Sequence, residues 1–77
     1  MKLPVLKPQE VLRALEGAGF YIHHQSGSHA RLLHRARADL RVTIPMHSRD
    51  LPRSTLSRIL RQAQLTPEEF LRLLRQG

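Results

Sequence analysis

Hydrophobic residues change their period along this chain, and each change marks an element. Val11, Leu12, Leu15 and Ala18 recur at helical spacing behind Pro8, a residue suited to a first helical turn, and the run ends at Gly17 and Gly19. "FYIHHQ" then alternates, placing Phe20, Ile22 and His24 on one side of a predicted strand and Tyr21, His23 and Gln25 on the other, until Ser26-Gly27-Ser28 breaks it. A second strand is expected from His29 to Arg35, with Ala30 and Leu32 on one face and His29, Arg31, Leu33 and Arg35 on the other. "RARAD" turns the chain into "LRVTIP", where Leu40, Val42 and Ile44 alternate with Arg41 and Thr43 before Pro45 ends the strand.

After the breaker-rich loop "MHSRDLPRS", Leu56, Ile59, Leu60 and Ala63 mark a second helix that carries Arg58 and Arg61 on its other side. Thr66, Pro67 and Glu69 then form a capping box for a short final helix, on which Phe70, Leu71 and Leu74 make an apolar stripe suited to capping the core. Antiparallel strands need an apolar cover on one face, and the amphipathic helices supply it. The expected fold is therefore α+β, a two-layer sandwich of order α-β-β-β-α with a three-stranded antiparallel sheet and a short C-terminal helix, one domain over residues 1–77. In that sandwich Phe20, Ile22, Ala30, Leu32, Leu40, Val42 and Ile44 face the helices. The other sheet face presents Tyr21, His23, Gln25, His29, Arg31, Arg35, Arg41 and Thr43, and is basic, histidine-bearing and open.

Composition narrows what such a face can meet. A chain of 77 residues buries only about 60% of its unfolded surface, so the core is small and simple. The absence of Cys rules out disulfides and thiolate metal sites. "MKLPVLKPQE" has neither the form of a signal peptide nor that of a membrane span, which makes the cytoplasm the expected location. Net charge is +7, and between His29 and Arg61 eight Arg stand against Asp39 and Asp50. Arginine forks onto phosphate bidentately and stacks on bases, so this stretch is where a polyanion would sit, although charge alone equally describes a solvated basic surface.

"GSHARLLH", "VTIPMHSRDLPRSTLSRIL" and "QLTPEEFLRLL", together with the leading "LKPQEVLRALEGAGF", resemble the HicA-type toxins of bacterial toxin–antitoxin systems from about Lys7 to Leu74. The specific elements are Gly27-Ser28-His29, the strand end Val42-Thr43-Ile44-Pro45, His47, and Thr55-Leu56 opening a helix. The resemblance implies a fold similar to double-stranded RNA-binding domains and a metal-independent endoribonuclease acting on messenger RNA, with His29 as the catalytic residue. It also implies a cognate HicB-type antitoxin that covers the active site, and contact with operator DNA only through that complex. The sequence departs from the family where Leu32 replaces an aromatic, Arg35 a proline, and Ser54 and Gln64 glycines.

That chemistry suits the residues. Metal-free RNA cleavage uses the substrate's 2′-hydroxyl as nucleophile, so it needs a base of histidine type and cationic donors for the phosphorane. Gly27 permits close approach of a backbone, Ser28 offers a hydroxyl and an N–H, and Arg31 lies on the same strand face as His29. His23, Arg35, Arg41, Arg49, Arg53 and Arg58 are further candidates to bind RNA, the last three around a helix start whose positive end favours phosphate. Gly27, His34 and His47 are candidates to assist, each histidine either as general acid or as a group that fixes a hairpin or loop. His24 points inward by parity and reads as a half-buried structural residue. No pair of histidines has helical i, i+4 spacing and the acidic residues lie far from them in sequence, so neither metal nor other cofactor is expected. Two other readings compete: a non-catalytic RNA-binding module using the same face, and an interaction subunit whose arginines meet an acidic protein.

Overall fold

The structure, a computed structural model, describes residues 3–47 and 49–76. Met1, Lys2, Ser48 and Gly77, which the single-domain expectation also spans, lie outside the described residues. The elements run α1 (Pro8–Gly17), β1 (Phe20–Ser26), β2 (His29–His34), β3 (Arg41–Pro45), α2 (Arg53–Ala63) and α3 (Pro67–Gln76). The strands form one antiparallel sheet in the order β1-β2-β3. Helix α1 packs across β1 and β3, α2 lies along β3, and α3 packs on α1, so the helices share one side of the sheet. This is the α+β sandwich expected from the pattern; α3, at 10 residues, equals α1 in length instead of being a short appendage.

Each boundary has a local cause. Glu10 reaches back to accept a hydrogen bond from the Lys7 N–H at 2.9 Å, closing the start of α1. At α3 the capping box is complete: the Thr66 N–H donates to Glu69 Oε1 at 2.8 Å and the Glu69 N–H donates to Thr66 Oγ1 at 3.1 Å. The Thr66 backbone N–H, then the Thr66 hydroxyl, holds the Glu69 carboxyl below its ordinary range. Strands β1 and β2 are joined by Gly27-Ser28, with Ser26 facing His29. Gly27 has φ +56°, matching the type II′ hairpin pattern with glycine at its first central position. Arg37 donates from Nε and Nη2 to Asp39 at 3.1 and 3.0 Å, bracing the turn before β3.

The core follows the expected parity on two strands and breaks it on the third. Ala30, Leu32, Val42 and Ile44 are buried with Leu40, and α1 and α2 cover them with Val11, Leu12, Leu15, Leu56, Ile59 and Leu60. Phe70 of α3 is fully buried, and its loss to Ala would cost roughly 3–5 kcal/mol by the usual behaviour of such sites. On β1 the pairing runs Ile22↔Leu32 and then His24↔Arg31, which leaves His23 as an extra residue, a β-bulge. Ile22, expected in the core, is 38% exposed on this edge strand. Beyond the bulge the parity inverts. His24, expected to point inward, lies opposite Arg31 and is exposed, while Gln25, expected on the open face, lies opposite the buried Ala30.

Two positive-φ positions make opposite predictions. Gly19 has φ +102°, and a Cβ built there would stand 2.8 Å from His34 Nε2. Gly19→Ala should therefore lower stability by about 1–3 kcal/mol in urea unfolding. Gln64, at the C-cap of α2, has φ 57°, a left-handed conformation that costs a side-chain-bearing residue about 1 kcal/mol. Gln64→Gly should raise stability by up to about 1 kcal/mol in the same assay.

Candidate nucleic-acid interface

The sheet face away from the helices is organised in cross-strand rows. Tyr21, Leu33 and Arg41 make one row, His24, Arg31 and Thr43 the next, and Ser26, His29 and Pro45 the last. His29 and Arg31 are two residues apart on the central strand, hence on the same face about 7 Å apart along the strand. Both are exposed. Arg35, just past β2, stacks its guanidinium on the Tyr21 ring at 5.2 Å from the centroid and so closes the far end of the face.

His29 stands at the rim, immediately after the hairpin turn. Nothing lies within 4 Å of where a Gly27 Cβ would be, so the approach to the turn is open. The Met46 N–H donates to the Ser28 carbonyl, which ties the exit of β3 to the same turn. His47 follows at once, exposed, its Nδ1 accepting the Arg49 N–H at 3.1 Å. A neutral ring that accepts at Nδ1 carries its proton on Nε2. Turn, base candidate and second imidazole thus sit on segments joined by one backbone hydrogen bond.

His23, His24, Arg31, Leu33, Arg41 and Thr43 line a shallow hollow of about 440 Å³ in the middle of the face. The ion pairs among the described residues, Lys7–Asp50 and Arg37–Asp39, involve none of them. The Asp39 carboxyl is held below its usual range by the Arg37 hydrogen bonds, so that acid is committed to its own turn. No three His, Asp or Glu side chains converge among the described residues as a metal site would require, and no described helix is long and apolar enough to cross a membrane.

Other residues singled out in the sequence lie elsewhere. Arg49 is in the β3–α2 loop, Arg53 opens α2, and Arg58 is exposed on α2 away from the buried Leu56, Ile59 and Leu60. They do not share the open sheet face, because α2 covers the opposite one. His34 is at the far end of β2 from His29, with both ring nitrogens engaged. Nε2 donates to the Ala18 carbonyl at 2.8 Å, and Nδ1 accepts the Ala36 and Arg37 N–H groups at 3.0 and 3.1 Å. Its ring meets Phe20 edge-on at 4.8 Å between centroids. This geometry is that of a fastener between the end of α1 and the β2–β3 turn. His24 was missed as a face residue, and no hydrophobicity contrast between His23 and His24 could have revealed the bulge.

His34→Ala should accordingly lower stability by about 1–3 kcal/mol, through the lost bonds and ring contact, as read by thermal melts of the two proteins. A family model described as the HicA toxin of bacterial toxin–antitoxin systems matches residues 8–65, well over half of the chain. A search of curated proteins gives no match.

Proposed function

Because the chain belongs to the HicA toxins of bacterial toxin–antitoxin systems, we propose that this toxin is a metal-independent endoribonuclease acting on messenger RNA, with His29 as its general base. The observation that carries this reading is the position of His29. It is an exposed imidazole at the rim of the sheet face away from the helices, with no hydrogen-bond partner among the described residues, beside an open glycine turn and two residues before Arg31.

In the reaction His29 takes the proton of a ribose 2′-hydroxyl, whose oxygen forms a bond to the adjacent phosphorus as the bond from phosphorus to the 5′-oxygen breaks. Arg31 and the Ser28 N–H and hydroxyl neutralise the charge that develops on the phosphorane oxygens. The departing 5′-oxygen must gain a proton. His47 is the group to which we assign it, acting as the imidazolium, a state in which Nδ1 is protonated and no longer accepts the Arg49 N–H. Arg35 and Arg41 hold neighbouring phosphates on the face, and Arg49, Arg53 and Arg58 attract the polyanion from the loop and α2. No step needs a cofactor. The partner we assign is a HicB-type antitoxin that covers this face, through which the pair would reach operator DNA, and the site of action is the cytoplasm.

Purified protein incubated with a structured transcript should yield fragments ending in 2′,3′-cyclic phosphate and 5′-hydroxyl, in EDTA as well as without it. His29→Ala should keep the fold and RNA affinity while cleavage drops by about 10²–10⁴-fold. Full cutting by that variant would remove His29 from the mechanism. A gel shift by the wild type without any fragments would instead favour a non-catalytic RNA-binding module.

A further inference from the structure

We propose that the hollow formed by the β1 bulge is a nucleotide subsite, in which Arg31 and Arg41 hold a phosphate and the imidazoles of His23 and His24 take the base of a single-stranded RNA nucleotide next to the one cut. This rests on the reading of His29 as the reacting group for its placement, and on separate observations for its substance. The first is the bulge itself. Without the extra residue at His23, parity would send His24 to the helix side; with it, both histidines of the pair line one hollow with Arg31 across the strand. Bulges of this kind re-aim side chains at binding sites, and this one aims a flat ring where the sheet already carries cations.

The second observation is what the hollow contains. Two guanidiniums from neighbouring strands flank it, Leu33 gives it an apolar floor, and Thr43 adds a hydroxyl. Neither arginine is engaged in the ion pairs of the described residues, and no carboxylate lines the hollow. Packed cations without a counter-charge favour an anion, and arginine favours a phosphate.

The third is size. About 440 Å³ exceeds what a carboxylate side chain would fill and falls in the range that houses a small ligand, a base with its ribose phosphate among them. Imidazole and guanidinium planes are surfaces on which unstacked RNA bases settle, whereas paired bases keep their faces hidden. The hollow therefore suits a single strand. Its centre row lies one step of two residues along β2 from His29, about 7 Å, within the span of one nucleotide of extended backbone.

The test uses His29→Ala protein and a single-stranded RNA hexanucleotide, with imidazole proton NMR for contact and fluorescence anisotropy for affinity. Saturable movement of the His23 and His24 signals is expected. His24→Ala in this background should weaken binding about tenfold, and His24→Phe should restore it, because a flat ring is what the base needs. Arg31→Gln or Arg41→Gln should lower the slope of log affinity against log salt by about one. Binding of the hexanucleotide with stationary His23 and His24 signals, or unchanged affinity of a folded His24→Ala variant, overturns the proposal. So does a glutamate hexapeptide that moves those signals at lower concentration than RNA, since the hollow would then belong to an acidic protein. If the wild type binds RNA through the hollow yet never cuts it, the endoribonuclease reading falls and the subsite stands; if it cuts while the hollow stays silent, only the subsite falls.

Discussion

Covering a three-stranded sheet on one face only is the constraint from which the rest of this molecule follows. The apolar residues of β2 and β3 that face α1 and α2 are buried almost completely, and Phe70 seals the junction with α3. A sheet with one dry face must carry polar side chains at the alternate positions. In this chain the ionisable side chains at those positions, apart from Tyr21, are arginine and histidine, with no acidic residue among them. The acidic residues sit on α1, α3 and the connecting loops. The helices carry arginines as well, but no carboxylate stands on the strands, so the face left in water attracts polyanions without an opposing charge of its own.

Much of this was legible because local rules and the tertiary fold agree. Leu40, Val42 and Ile44 alternate cleanly with Arg41 and Thr43, and the structure buries the first set as the period requires. Thr66 and Glu69 announce their capping box by spacing alone, and both reciprocal bonds are present. The hairpin at Gly27 is likewise encoded by the residue that tolerates positive φ. What stayed open or was misread depends on geometry that the sequence does not display. His34, left between an acid and a group that fixes a hairpin or loop, is held by the Ala18 carbonyl and two turn amides, which no periodicity displays. The bulge hides in a run of polar residues on an edge strand, where either face would accept a histidine, so the count along the strand misleads from His24 onward.

Gln64 illustrates the same limit from the other side. A glycine would suit the left-handed C-cap, and the resemblance to HicA toxins pointed to one there; glutamine stands in the strained conformation, and its Oε1 accepts a hydrogen bond from Arg37 Nη2 at 3.1 Å. That contact links α2 to the turn already braced by Asp39. The position thus trades backbone comfort for a tether between α2 and that turn.

One polar contact governs how the sheet can meet other chains. The Thr43 N–H, on the outer edge of β3, donates to Gln62 Oε1 of α2 at 3.1 Å, so a helix side chain occupies the ladder position that a fourth strand would need. Growth of the sheet past β3 would require α2 to let go. The two margins of the sheet are therefore unequal, and any chain that docks by extending the ladder is directed to the flank beside β1, where it would arrive next to the twin imidazoles rather than behind the helices.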